Sequence, residues 1–195
     1  MNLVRKVGVG VLISGRGSNM EALLEATRDE NYPAEIVFVG ADKVDARGLR
    51  TAANFGISTA AIPRIKGMAK ADHETAVLQA LADHNVEVLC LAGYMRLLTE
   101  NFIDQWSGRI INIHPSLLPK FKGLDSHQRA IDAGESKHGC SVHHVTAGMD
   151  EGPVIAQAEV TISEHETAES LAAKVLVKEH ELYPKALRML IESLN

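Results

Sequence analysis

An asparagine and a histidine lie two positions apart in a β-like run, so both side chains could act on one substrate atom. Residues 109–114 read RIINIH, and the apolar residues predict a strand that ends just before Pro115. Side chains two apart on a strand point to the same side, so Asn112 and His114 should project together. An imidazole carries or donates a proton near neutral pH, and a carboxamide can donate to an oxygen that gains negative charge.

A carboxylate that could join them is Asp150, in the connection TAGMDEG at 146–152. A carboxylate beside an imidazole favours the charged ring and fixes its orientation. His127 and His143 lie in segments that could also come close. Such a group can stabilise a tetrahedral oxyanion without a nucleophile of its own, so the attacking group would come from the substrate. The structural alternative is a satisfied histidine at a strand end and an aspartate that serves its turn.

A glycine-containing loop, SGRGSN at 14–19, joins the first predicted strand to a helix. Gly15 and Gly17 would let the backbone approach an anion, and Ser18 and Asn19 add donors and could cap the helix. The dinucleotide motif lacks its third glycine because position 20 is Met, and no Gly-Lys-Ser/Thr ending of an NTPase loop follows. The loop is therefore either an ordinary capped turn or a site for a single phosphate.

Composition limits the other classes of function. The net charge of −5 argues against general nucleic-acid binding. No run approaches the length of a membrane span, and the N-terminus lacks the features of a signal peptide. The two cysteines, Cys90 and Cys140, sit in apolar segments. These features predict a cytoplasmic protein. We expect no metal site, since the adjacent His143 and His144 would face opposite sides of a strand and no HExxH or paired CxxC occurs.

The candidate residues are set in alternating strands and helices. The first half predicts strands at 7–13, 35–40, 57–63 and 86–93, and helices at 19–29, 45–56 and 69–85. The second half predicts a helix at 99–106, a strand at 109–114, a helix at 126–134, an antiparallel strand pair at 139–146 and 153–162, and a helical region at 167–194 that Pro184 kinks or divides.

This order predicts an α/β fold with a Rossmann-like parallel sheet in the N-terminal half. Antiparallel strands extend it into a mixed sheet, with helices on both faces. We expect a single domain over 1–195, in which 1–100 form the nucleotide- and phosphate-binding half and 101–195 carry the catalytic residues.

Several segments resemble the folate-dependent formyltransferases, and within them the phosphoribosylglycinamide formyltransferase family. They lie between residues 11 and 184 and read VLISGRGSNMEALLEA, DKVDARGL, LAGYMRLL, INIHPSLLPKFKGLDSHQRAI, HGCSVHHVTAGMDEGPVIAQA and KEHELYP. The pairing of INIHPSLLP with MDEGPVI is specific for the formyltetrahydrofolate-using group. The chain departs from the family at Asp125, where a histidine is common, and at Lys122, where a proline is frequent.

The resemblance implies a role for each matching residue. It implies that Asn112, His114 and Asp150 are catalytic and that the phosphate and nucleotide are bound by Gly17, Ser18, Asn19 and Glu179. It further implies a folate pocket in the second half that also draws on the first, formed by Lys70, Met95, Arg96, Leu97, Leu98, Asn112, Thr146, Ala147, Gly148, Met149 and Asp150.

The activity implied is transfer of the formyl group of 10-formyltetrahydrofolate to the amine of glycinamide ribonucleotide in purine biosynthesis. The folate would be a co-substrate, and the reaction would need no metal ion or ATP. The partners would be small molecules rather than nucleic acid or membrane. The protein would be a monomer or homodimer. The alternatives are a formyltetrahydrofolate hydrolase, which usually has an extra N-terminal domain, a methionyl-tRNA formyltransferase, which would need a basic C-terminal domain, and a non-catalytic nucleotide-binding module.

Overall fold

The computed structural model describes residues 5–194, which form one mixed sheet and the helices that cover it. The strands in this part of the chain are β1 Val7–Ile13, β2 Ala34–Ala41, β3 Ser58–Ala61, β4 Val88–Leu91, β5 Ile110–His114, β6 Lys137–His144 and β7 Val154–Thr161. The helices are α1 Ser18–Thr27, α2 Arg47–Asn54, α3 Lys70–Asp83, α4 Glu100–Gln105, α5 Ser126–Asp132 and α6 Ala168–Leu194.

The strand order within residues 5–194 is β3-β2-β1-β4-β5-β6-β7. The pairs from β3 to β5 are parallel, whereas β6 pairs antiparallel with both β5 and β7. The predicted fold class is thereby confirmed. The chain leaves β1 on one side toward β2 and returns on the other side at β4, and a crevice at the carboxyl ends of the strands is expected at such a reversal.

The core lies on both faces of the sheet, because alternate residues of the central strands point to opposite sides. Val11 of β1 belongs to a buried cluster with Tyr183 and Leu187 of α6, whereas its neighbour Leu12 packs in a second cluster with Leu81 of α3. All five side chains are almost completely buried. Helices therefore cover both faces, as expected from the apolar strands.

The last helix is not divided at Pro184, so that alternative is wrong: α6 runs without a break from Ala168 to Leu194 with Pro184 inside it. Proline removes one helical hydrogen bond, but Tyr183, Ala186 and Leu187 around it are fully buried and hold the segment helical. The Tyr183 hydroxyl also donates to the carbonyl oxygen of Leu91 at 2.9 Å, which ties α6 to the end of β4. None of the helices in the described part of the chain combines the length and apolar character of a bilayer crossing.

Candidate active site

Strand β5 carries Asn112 and His114 to its carboxyl end, as the sequence predicted. The neighbouring antiparallel strand β6 places His143 directly opposite Asn112. Nδ2 of Asn112 lies 3.2 Å from Nε2 of His143, so the carboxamide is held by a hydrogen bond across the two strands. Both histidines are buried, and Asn112 is half-buried.

The loop between β6 and β7 brings Asp150 against the same two histidines. Oδ2 of Asp150 lies 3.2 Å from Nδ1 of His114, and Oδ1 lies 3.6 Å from Nε2 of His143. The backbone N–H of Gly123 donates to Oδ2 at 2.9 Å. The structure therefore brings Asn112, His114 and Asp150 together, and it adds His143, which the sequence had placed only in a nearby segment.

The protonation of His114 is set by opposing influences. Burial lowers its pKa below the ordinary value and outweighs the Phe121 carbonyl and the Asp150 carboxylate, which both raise it. Asp150 does favour the charged ring, as expected, but burial is the larger influence, so the carboxylate does not keep the ring charged. Nε2 lies 3.0 Å from the carbonyl oxygen of Phe121, which can only accept, so Nε2 keeps its proton. The proton that is gained or lost is the one on Nδ1, facing Asp150.

Asp150 is held in its ionised form. Burial raises the pKa of its carboxyl, but the neighbouring His143, the hydrogen bond from the Gly123 N–H and the nearby His114 together outweigh burial and leave the pKa below the ordinary value. Because burial favours the neutral form of His114, this ring and the ionised carboxylate can together accept a proton and pass it on.

His143 determines which way Asn112 points. Nδ1 of His143 lies 2.8 Å from the carbonyl oxygen of His144, which can only accept, so this nitrogen carries a proton. Nε2 is then free to accept from the Asn112 amide, which fixes the amide nitrogen on this side. The second amide hydrogen of Asn112 is left for a group in the cleft. The pairing of His143 with Asn112 depends on the register of β5 against β6, which the sequence alone does not give.

Two clefts meet at these residues. A cleft of about 600 Å³ reaches from Asn112, His114 and Asp150 to Asn19 and Glu179. A second cleft has a volume of about 370 Å³. Its lining includes most of the predicted folate residues: Lys70, Arg96, Leu97, Leu98, Thr146, Ala147, Gly148 and Met149. Met95 lines the first cleft instead. Asn112 and Asp150 line both clefts. The arrangement can hold two molecules whose reacting ends face each other.

The glycine loop differs from its prediction in one detail. The residue that precedes the first turn of α1 is Gly17, with a left-handed φ of 77°, and it has no side chain with which to cap the helix. Neither Ser18 nor Asn19 stands at the capping position, so the predicted cap is wrong. Backbone N–H groups at the start of α1 are therefore open to an anion, in keeping with the phosphate alternative.

Asn19 is tied to the other predicted nucleotide residue. Its Nδ2 donates to Oε2 of Glu179 at 2.7 Å, which links α1 to α6. Burial raises the pKa of Glu179, and the Asn19 hydrogen bond opposes that rise. The loop is also braced by Gly48, whose N–H donates to the Gly15 carbonyl at 3.1 Å. A Cβ on Gly48 would collide with Ile13, which explains the glycine in the DARGL segment.

Two further side chains are held by acidic partners. Arg96 donates from Nε to Oδ2 of the buried Asp42 at 2.6 Å, which fixes its guanidinium at the wall of the second cleft. Lys122 pairs with Glu151 at 2.9 Å and links the two loops beside Asp150. Asp125 is exposed and lines the first cleft.

Within residues 5–194, no group of three or more His, Cys, Asp or Glu side chains is arranged to hold a metal ion.

Known proteins are similar to almost the whole chain. Residues 7–187 match the family described as formyl transferase. The chain is 40% identical over 181 residues to phosphoribosylglycinamide formyltransferase of Bacillus subtilis, covering 93% of both. A crystal structure of phosphoribosylglycinamide formyltransferase from Brucella melitensis superimposes with a TM-score of 0.91 at 52% identity, covering 94% of this chain and 95% of that one.

Longer relatives contain the same region as one part of a larger protein. The chain is 44% identical over 188 residues to the trifunctional purine biosynthetic protein adenosine-3 of Chironomus tentans. That match covers 95% of this chain, and the chain spans only 14% of the length of that relative.

Proposed function

The chain belongs to the formyl transferase family, and we propose that it is a phosphoribosylglycinamide formyltransferase. In this proposal it transfers the formyl group of 10-formyltetrahydrofolate to the amine of glycinamide ribonucleotide in purine biosynthesis. The observation that carries the proposal is that Asn112 and Asp150 line both clefts, one leading to Asn19 and Glu179 and the other to Lys70 and the 146–149 segment.

The two clefts suit the two substrates. The larger cleft ends near the open N-terminus of α1 and Glu179, where the phosphate and the hydroxyl groups of a ribonucleotide can find donors and an acceptor. The second cleft has apolar walls from Leu97 and Leu98 and cations from Lys70 and Arg96, which suit a pterin ring and an anionic tail. The first half of the chain thus binds phosphate, and the second half supplies the catalytic residues.

The chemistry needs only groups that the chain and the substrates supply. The nucleotide amine attacks the formyl carbon, and the carbonyl oxygen becomes an oxyanion. Asn112 donates its free amide hydrogen to that oxygen, in an environment from which water is partly excluded. The pair His114 and Asp150 receives the proton of the amine and delivers it to the departing N10 of the folate. The nucleophile belongs to the nucleotide, so the mechanism uses no ATP, metal ion or covalent enzyme intermediate.

Orientation supplies much of the remaining acceleration. Fixing an amine and a formyl carbon in line can be worth about 7–11 kcal/mol of the barrier, because translational freedom is lost on binding rather than in the reaction. The clefts meet at Asn112 and Asp150, which is where the reacting atoms would have to be held. The same proposal assigns the protein to the cytoplasm and gives it two small molecules as substrates.

The test is an assay of formyl loss with and without the nucleotide. The purified protein is mixed with 10-formyltetrahydrofolate, and the formation of tetrahydrofolate is followed in the presence and absence of glycinamide ribonucleotide. The proposal predicts product only when the nucleotide is present, in equal amount to formylated nucleotide. Product without the nucleotide would indicate the hydrolase, and no product in either mixture would indicate a non-catalytic module. A preparation of His114→Ala made in parallel corrects for contaminating host enzyme.

A further inference from the structure

Beyond the residues that face the substrates, we propose that Arg129 is a positioning residue that holds residues 121–124 against His114 and Asp150. The inference rests on the proposed function, because it concerns the geometry of that catalytic pair. Arg129 lies on α5, is exposed, and lines neither cleft. Its side chain therefore acts through the loop rather than on a substrate.

The loop 121–124 touches both members of the pair with its backbone. The carbonyl oxygen of Phe121 accepts from Nε2 of His114 at 3.0 Å. Two residues further on, the N–H of Gly123 donates to Oδ2 of Asp150 at 2.9 Å. One short segment thus sets the ring orientation of the histidine and supplies a hydrogen bond to the carboxylate. A shift of this segment would change both contacts together.

The backbone of this segment needs support, because it departs from the conformations that ordinary residues favour. Phe121 and Asp125 have left-handed φ angles of 55° and 56°, and Gly123 between them has 76°. Left-handed conformations are unfavourable for residues with a Cβ, and they persist where surrounding contacts hold them. A large aromatic residue such as Phe121 is not expected to stay there without such contacts.

Arg129 provides those contacts. Its Nη1 donates to the carbonyl oxygens of Lys122 at 2.6 Å and Leu124 at 3.2 Å. Its guanidinium carbon lies 5.7 Å from the ring centroid of Phe121, within the range of a cation–π contact. One side chain therefore contacts three of the four residues of the loop.

The base of Arg129 is itself fixed. Helix α5 begins at Ser126, whose hydroxyl donates to the carbonyl oxygen of Pro115 at 2.7 Å, just after the catalytic strand. Apart from the bonds to His114 and Asp150, the loop also has an edge contact of the Phe121 ring with His138 and the exposed ion pair of Lys122 with Glu151. Exposed ion pairs usually contribute little. A planar guanidinium that bonds two carbonyls is the stronger restraint.

The experiment compares Arg129→Gln with Lys120→Gln in the formyl-transfer assay. Lys120 precedes the same loop, and its exposed ion pair with Glu135 touches neither catalytic residue, so its substitution removes a charge without removing the restraint. We expect Arg129→Gln to lower kcat by about tenfold or more, with KM for both substrates within about twofold, since a displacement of about 1 Å can cost up to 10²-fold. Lys120→Gln should stay within about twofold of the wild type in all constants.

A spectroscopic signature separates positioning from general loss of stability. The amide proton of Gly123 is bonded to a carboxylate, so it should resonate downfield in the wild type. In Arg129→Gln it should move upfield while the amide spectrum of the sheet is unchanged, and added guanidinium ion should restore part of kcat. Arg129→Lys, which keeps the charge and one donor nitrogen, should fall between the wild type and Arg129→Gln and serves if the glutamine variant does not fold.

Two results would overturn the inference: an Arg129→Gln variant with unchanged kcat, or one in which KM rises and kcat does not, which would make Arg129 a binding residue. A wild-type protein that shows no nucleotide-dependent transfer would instead refute the proposed function, because the comparison takes the wild-type rate as its reference.

Discussion

Nδ1 of His114 lies 3.2 Å from Oδ2 of Asp150, while the other ring nitrogen of His114 is already engaged with the carbonyl oxygen of Phe121. A proton that the site takes up therefore goes between the imidazole and the carboxylate. Burial favours the neutral ring, and the contacts around Asp150 favour its ionised form. The pair is set to accept a proton during reaction rather than to hold one beforehand.

His143 should be needed for the orientation of Asn112. His143→Ala removes the acceptor 3.2 Å from the Asn112 amide and leaves the carboxamide free to rotate. We expect kcat to fall by about tenfold or more, short of the roughly 10²–10³-fold for complete loss of an oxyanion donor, because Asn112 is still present but no longer held. KM for the nucleotide should change little. His144→Gln is the matched control, because this neighbour points to the other face of β6. A normal kcat in His143→Ala would show that Asn112 is oriented in another way.

The glycine loop should control affinity for the nucleotide rather than turnover. Ser18→Ala combined with Asn19→Ala removes side-chain donors at the start of α1 and the bond to Glu179. We expect the dissociation constant of glycinamide ribonucleotide to rise by about 10-fold or more, equivalent to about 1.4 kcal/mol, while that of the folate is unchanged. Isothermal titration with each substrate measures both constants. Weakened folate binding with normal nucleotide binding would mean that the loop serves the other ligand.

The free energy of unfolding should decrease as the pH falls below the ordinary pKa of histidine, about 6.5. Burial, and then the neighbouring His127, lower the pKa of His138 to about 4, and burial also lowers the pKa values of His114, His127 and His144. The folded chain then binds fewer protons than the unfolded chain, so the free energy of unfolding decreases as pH falls from about 6.5 toward 4. The contribution of His138 alone is at most about 3 kcal/mol.

Urea unfolding at several pH values between about 5 and 7 measures this dependence. His138→Gln should show a smaller loss of stability across the range than the wild type, whatever its stability at pH 7. His165→Gln, at an exposed position, provides the control for removal of a histidine. Equal slopes for His138→Gln and the wild type would mean that His138 titrates normally in the folded chain.

Local patterns in the sequence were sufficient for much of the fold and for the first two members of the site. Strand β1 has its predicted bounds, and the two-residue spacing placed Asn112 and His114 on one side of β5. The predicted strand pair in the second half is antiparallel, as its short glycine-containing connection indicated. These features depend on residues close together in the chain, where periodicity and turn composition carry the information.

The features that were missed depend on distant parts of the chain. The partnership of Asn112 with His143 requires the register of β5 against β6, and that of Arg96 with Asp42 requires β2 and the loop after β4 to meet. Burial, which decides the charge of His114, and the packing that carries α6 through Pro184 are likewise properties of the folded molecule. The contacts of Arg129 with residues 121–124 also depend on a loop conformation that only the folded molecule shows.

In the proposed mechanism Asp150 takes part in proton transfer at the formyl carbon, and its charge contributes to the chemical step rather than to the affinity for either substrate. Single-turnover transfer by Asp150→Asn, with both substrates prebound at saturating concentration, tests it most directly. Asparagine can still accept from the Gly123 N–H but cannot carry the charge beside His114. We predict a chemical step slower by about 10²–10⁴-fold with unchanged dissociation constants. A single-turnover rate within a few-fold of the wild type would contradict the account.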